Sequence, residues 1–204
     1  ALRDWMLEVR DTGFLPEAEL HRRRGNDSPY DMAHDEARYP LRQILEAAEL
    51  ASMRGTGDEQ RLVRLLSASD PAIRYWGVIG FAVRGSETAK RRLPELRRLL
   101  DDPNPSVQIA AAEFVGQYGN TEDLERAMDV LLEYGNLEKH GLFEALAALN
   151  AVDALGERAR PFRKSIAALP ARKKGIPRRL SNYVPRLLEH IADHWNELSN
   201  DSLP

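Results

Sequence analysis

The feature that most constrains this chain is a self-match at an offset of 34 residues. Leu62, Leu65 and Leu66 recur as Leu96, Leu99 and Leu100. At the same offset Asp70-Pro71 becomes Asn104-Pro105, Ile73 becomes Val107, Gly77-Val78 becomes Ala111-Ala112, Phe81 becomes Val115 and Gly85 becomes Gly119. One shift therefore aligns an apolar face, a helix start and a helix stop, so the repeating object is larger than one helix. Ala145, Leu146 and Leu149 continue the pattern one step beyond Ala111, Ala112 and Val115. A chain of this kind buries the apolar side of each unit against its neighbour.

Each unit predicts two antiparallel helices. Asp70 and Asn104 offer oxygens to the unpaired amides of a first turn, and the proline after each lacks only an amide that has no helical partner there. Gly85, Gly119 and Gly135 are expected to take the left-handed backbone that closes a helix, with Ser86, Asn120 and Asn136 capping the helix that follows. The second helices, such as Val107 to Tyr118, are apolar on more than one face. Ala110-Ala111-Ala112 allows close approach, while Val107, Ala111, Phe114 and Val115 point into the stack. The first helices alternate leucines with charge, as in Lys90 to Leu100, and their charged faces are predicted to be solvated. The fold class is all-α, an α-α superhelix of helix pairs.

The Asp-Pro or Asn-Pro start, the aliphatic residue two positions later, the small residues four and five positions further on and the apolar ridge after them resemble HEAT repeats. The resemblance covers roughly residues 40–170, in units of about 40–55, 56–85, 86–119, 120–153 and 154–170. It implies a curved right-handed solenoid that supports other domains or binds partners along one face, and it implies no reaction. Residues 171–204 read as a basic loop and a C-terminal capping helix.

Residues 1–39 do not follow the repeat. Leu2, Trp5, Met6 and Val9 form one helical face, broken at Asp11-Thr12-Gly13. Leu15-Pro16-Glu17 restarts a short helix with acids in its first turn, where they complement the helix dipole. Ser28-Pro29 and Tyr39-Pro40 open two more elements. The wording from Arg3-Asp4-Trp5-Met6-Leu7-Glu8-Val9-Arg10-Asp11-Thr12-Gly13-Phe14 through Leu20, with Ser28-Pro29-Tyr30-Asp31-Met32, resembles the segment after the catalytic domain in bacterial sulfatases related to heparan N-sulfatase. In that group HEAT-like repeats can follow.

The resemblance implies a parent that hydrolyses sulfate esters or N-sulfates of sulfated glycans with a formylglycine nucleophile and a calcium ion, in the periplasm or outside the cell. None of that machinery transfers to this chain. The nucleophile motif begins with Cys or Ser and ends in Arg, but there is no cysteine, and in Ser69-Asp70-Pro71-Ala72-Ile73-Arg74 the arginine comes one position late. No catalytic residue, metal ligand or cofactor is assigned here, and calcium belongs to the absent catalytic domain.

Composition narrows the remaining classes. Hydrophobic residues at 43% and charged residues at 30% fit a folded globular chain. No apolar run reaches the ~20 residues of a membrane span. The first residues lack the pattern of a secretory signal, so the expectation is a cytosolic chain or one cut from a longer precursor. A net charge of −3 disfavours a nucleic-acid-coating protein, including a DNA glycosylase built on HEAT-like repeats.

Three features are weighed as sites. His190 and His194 share a helix face at metal-binding spacing, but Glu189 and Asp193 point elsewhere, and a solvated face is expected. Arg172, Lys173, Lys174, Arg178 and Arg179 form the clearest basic cluster. It is either a solvated linker or a polyanion site in which arginine forks bond sulfate or phosphate oxygens. Arg22-Arg23-Arg24 is a smaller candidate. The aromatic residues Trp5, Tyr75, Trp76, Phe81, Phe114, Tyr118, Tyr134 and Phe143 fall on helical core periods, and Trp195 is expected to pack with Leu187, Leu188 and Ile191 on the last helix. The partner is either an upstream sulfatase domain or, for a free-standing HEAT scaffold, another protein.

Overall fold

The computed structural model describes residues 14–53, 55 and 57–200. The expected Leu2, Trp5, Met6 and Val9 face and the Asp11-Thr12-Gly13 break lie outside the described residues. Among those described, every regular element is helical, and the fold is an all-α helical repeat. The chain forms two compact units, residues 1–95 and 96–204.

In the first unit the elements are α1 (Glu17–Arg24), α2 (Pro29–Ala33), α3 (Leu41–Ser52), α4 (Glu59–Leu65), α5 (Pro71–Val83) and α6 (Ser86–Arg91), and it ends within α7 (Leu93–Arg98). Leu15, Leu20 and Met32 make a small core around α1 and α2, with Tyr39 against it. The start of α2 is fixed by Ser28, whose Oγ accepts the Asp31 amide at 3.2 Å.

Helix α5 packs on both α3 and α4. Its start is the expected one, with Asp70 Oδ1 accepting the Ala72 amide at 2.9 Å. Ile44, Ala47, Ala72 and Ile73 form the core there, flanked by Phe14, Leu65 and Trp76. Two glycines set the spacing. A Cβ on Gly80 would sit 2.5 Å from Leu62 Cδ2 and 3.2 Å from the Ala51 Cα, and one on Gly77 would sit 2.8 Å from Leu66 Cδ2. Thus α5 lies so close to its neighbours that a side chain at either position would have to displace Leu62 or Leu66. Gly85 closes the pair in the left-handed region at φ 89°.

The charged stretch from Lys90 to Leu100 is not one helix. It divides into α6, α7 and a 3-10 turn at Leu99–Asp101. Pro94 lacks an amide for the carbonyl of Lys90 and crowds the backbone before it, so the chain leaves the helix at Arg92, φ −103°.

The second unit contains the last turn of α7, α8 (Pro105–Tyr118), α9 (Thr121–Gly135), α10 (Leu142–Leu155), a 3-10 segment at Gly156–Phe162, α11 (Arg163–Ala167) and α12 (Tyr183–Asn200). Helices α8, α9 and α10 pack on one another, and α12 packs on α10. Asn104 Oδ1 accepts the amides of Ser106 and Val107 at 3.0 and 3.3 Å. Val107, Ala111, Ala112, Val115, Met128, Leu131, Ala145 and Leu149 are fully buried, and Phe114 is buried. The predicted inward face of α8 is therefore the observed one. Trp195 is buried and donates its indole N–H to the Gly156 carbonyl at 3.1 Å.

Four expectations need correction. Gly119 is extended at φ −78°, ψ 176°, with its amide bonded to the Val115 carbonyl, so glycine is needed there for want of space beside Asp123 and not for a left-handed turn. Gly135 is the buried last residue of α9, placed against Leu169 and Leu149. Of the three expected caps only Asn120 starts a helix; Ser86 lies inside α6, and Asn136 Oδ1 instead accepts the amides of Glu138 and Lys139 in the following turn. Phe143 is exposed at 47%, since the small residues Ala145 and Ala148 carry the inward face of α10.

Candidate functional site

Charge distinguishes the surfaces of the two units. In the first, Arg22, Arg23, Ala37 and Arg38 line an open hollow of about 420 Å³. Its arginines are already neutralised. Glu19 takes Arg22 Nη2 at 2.5 Å and Arg23 Nε at 2.6 Å, and those bonds hold its carboxyl down at about 2. Arg38 pairs with Asp27 at 2.5 Å and with Asp35 at 2.9 Å. Arg24 bonds His21 Nδ1 at 3.2 Å and the Asp27 carbonyl at 3.4 Å. Arg22 and Arg23 therefore belong to a local ion-pair network with Glu19, and Arg24 is held by His21 and a backbone carbonyl.

The second basic stretch behaves differently. Residues Arg172, Lys173, Lys174, Arg178 and Arg179 are exposed on the loop between α11 and α12. Lys173 bonds the carbonyls of Glu138 and His140 at 3.0 and 3.2 Å, which ties the loop to the α9–α10 connection. Arg178 and Arg179 join Asn182, Tyr183 and Arg186 around an open hollow of about 540 Å³. Arg172, Lys173 and Lys174 do not line it. Among the described residues, Arg178 and Arg186 make no ion pair. The sequence reading missed Asn182, Tyr183 and Arg186. Tyr183 and Arg186 are three apart at the start of α12, and Asn182 immediately precedes it.

The first helices carry charge that is not simply solvated, contrary to expectation. Arg91 and Arg92 both reach Glu59, at 2.7 and 3.2 Å. Burial opposes ionisation of Glu59, but the bonds from Arg91 and Arg92 prevail and hold its carboxyl below the usual range. Arg97 grips Asp123 with two parallel bonds, Nε to Oδ1 at 2.6 Å and Nη2 to Oδ2 at 2.7 Å. Asp123 Oδ2 also accepts the Asn120 amide at 2.9 Å, and Asn120 Oδ1 accepts the Asp123 amide at 2.9 Å. The Arg97 bonds, followed by the backbone bond, hold the Asp123 carboxyl low.

Arginines also close the ends of second helices. Arg84, just past α5, donates to the carbonyls of Leu50 at 3.1 Å, Ala51 at 3.4 Å and Gly80 at 2.9 Å. In the second unit Arg158, just past α10, donates to Gly116 and Gly119 at 2.7 Å each. Each supplies donors to carbonyls that the helix end leaves unpaired.

For catalysis the inventory is sparse. His190 Nε2 stands 3.6 Å from Asp153 Oδ1, and the side chain of His194 lies outside the described residues. Among the described residues no group of three or more His, Cys, Asp or Glu side chains is placed to hold a metal ion. Glu113 on α8 has its carboxyl pushed up by burial. Tyr134 is raised first by burial and then by the negative charge of Glu133. The Tyr134 ring lies 4.7 Å from that of His140, whose Nε2 is 3.1 Å from Glu133 Oε1. No helix among the described residues is long and apolar enough to cross a membrane.

These observations define a class: a helical repeat whose helices are held by apolar second helices and polar seams between them. Residues 59–150 match the family of HEAT repeats, which covers α4 through most of α10. A search among curated proteins finds no match. HEAT repeats are typically non-catalytic and generally mediate protein interactions.

Proposed function

We propose that this chain is a non-catalytic HEAT-repeat scaffold whose partner is the catalytic domain of a sulfatase-like hydrolase in the same polypeptide. The observation that supports the scaffold is the repeat itself, whose inward faces are filled by packing and whose polar groups are engaged in caps and seams. The observation that favours this partner is the stretch from Arg3 to Leu20 with Ser28 to Met32, which resembles the post-catalytic segment of sulfatases related to heparan N-sulfatase. On this reading residues 1–39 join the catalytic domain to residues 40–170, residues 171–204 close the array, and the repeats fix the position of the catalytic domain or screen access to its cleft.

The gene sequence upstream of the Ala1 codon tests the partner directly. A sulfatase domain in frame supports the reading, and a start codon there replaces it with a free-standing protein-binding scaffold. For the role, the parent is assayed with and without residues 56–204 on a small sulfate ester and on a sulfated polymer. A change confined to the polymer is expected if the repeats screen the cleft. Unchanged turnover of both substrates removes the screening role.

A further inference from the structure

The hollow lined by Arg178, Arg179, Asn182, Tyr183 and Arg186 is built differently from the other arginine-rich hollow of this protein. There, every arginine of the lining is matched by Glu19, Asp27 or Asp35. Here, Arg179 is engaged, while Arg178 and Arg186 line the hollow with no ion pair among the described residues. Guanidinium groups converging on one depression repel one another, and a folded chain ordinarily relieves that with a carboxylate. No described residue supplies a counter-charge to Arg178 or Arg186.

The loop is also held in shape before any ligand arrives. Lys173 anchors it to the Glu138 and His140 carbonyls. Tight turns follow, with the Leu180 amide bonded to Pro177 at 2.8 Å, the Tyr183 amide to Leu180 at 3.3 Å, and Ser181 Oγ to the Arg178 carbonyl at 2.9 Å. A preformed site loses less entropy on binding.

Size and neutral groups narrow the ligand. At about 540 Å³ the hollow is in the range of small-molecule sites and much larger than one oxyanion needs. Tyr183 is 52% exposed, so its ring can cover the apolar face of a flat or ring-shaped ligand. The Asn182 amide both donates and accepts, as hydroxyl groups require. Arginine forks match tetrahedral oxyanions. We propose that this hollow binds a sugar carrying sulfate or phosphate esters, with Arg178 and Arg186 on the ester oxygens, Asn182 on hydroxyls and Tyr183 against the ring. The site goes beyond the scaffold reading and stands or falls separately from it.

The test is calorimetric titration of the whole chain at low salt with three probes: a sulfated heparin-type tetrasaccharide, its fully desulfated counterpart, and fructose 1,6-bisphosphate. Either esterified sugar is expected to bind, and the tighter of the two identifies the ester. The double variant R178Q/R186Q is expected to lose about tenfold or more in affinity, since each charge-assisted bond commonly carries that much. Tyr183→Ala is expected to weaken sugar binding about threefold or more while leaving the weak binding of inorganic sulfate unchanged. The control R22Q/R23Q should bind like the parent, and circular dichroism confirms that each variant is folded. The proposal is overturned if neither esterified sugar binds at millimolar concentration, if R178Q/R186Q binds as the parent does, if the desulfated sugar binds equally well, if Y183A changes nothing, or if a polyglutamate peptide competes on equal terms.

Discussion

Replacing Asp123 should reveal how much of the second unit depends on one carboxylate. Its side chain is 7% exposed while that of Arg97 is 37% exposed, so the pair is sheltered on one side only. Two contributions can be separated. The cap to the Asn120 amide is worth roughly 1 kcal/mol. The two-pronged bond to Arg97 involves two charged groups, for which about 1.5–3 kcal/mol is usual, and the exposure of Arg97 places it near the lower end. Asp123→Ala should therefore cost about 2–3 kcal/mol. Asp123→Asn keeps an acceptor for the Asn120 amide but loses the charge, and should cost about 1–2 kcal/mol.

Urea unfolding of both variants, together with Arg97→Met and the double variant R97M/D123N, measures the coupling directly. The expected coupling is about 1–2 kcal/mol. The pH dependence supplies a second check with a fixed sign. Because Asp123 ionises more readily in the folded chain, its contribution is present above the unfolded carboxylate range near 4 and is lost as pH falls through the lower folded value. The gap between the parent and D123N should thus narrow below about pH 4. A D123A cost under about 0.5 kcal/mol, or a coupling within error of zero, would refute the assignment of this pair as the tie between α7 and α9.

Other changes give shorter tests. Gly80→Ala should lower stability by about 1–3 kcal/mol in thermal melts, because overpacking against Leu62 and Ala51 outweighs the helix propensity gained by alanine. Arg158→Met should cost about 1–2 kcal/mol by leaving the Gly116 and Gly119 carbonyls without their donors, with faster amide exchange at the end of α8 as the local readout. Glu113→Gln should stabilise at pH 7, since burial raises its carboxyl and penalises the charged form. That gain should disappear as the medium is acidified below the unfolded carboxylate range, which urea unfolding at two pH values checks.

What was legible in the sequence was local or periodic. Asp70, Asn104 and Asn120 each bond amides two or three residues away, and the inward face of α8 follows from its own 3.6-residue period. What escaped was decided by partners distant in sequence. Glycine at 119 signals a left-handed stop only in general; here the Asp123 side chain lies where a Cβ would stand, and the backbone is extended. Arg97 looks like one more solvated charge in Arg97-Arg98, until Asp123 is placed opposite it by the turn at Asn120.

The same distinction separates the two arginine clusters. Arg22-Arg23-Arg24 and Arg172-Lys173-Lys174 have similar composition, yet only the first has acids at the helical offsets that neutralise it, with Glu19 three and four positions before Arg22 and Arg23. Counting acids at those offsets, rather than counting bases, would have ranked the clusters from sequence. It would also have moved the second candidate toward Arg178, which has no acid at i±3 or i±4, whereas Arg186 has Glu189 at i+3 and only the structure shows that the two make no ion pair. The proposed site rests on a fold that withholds counter-charge from Arg178 and Arg186, and that depends on which acids are missing nearby as much as on which bases are present.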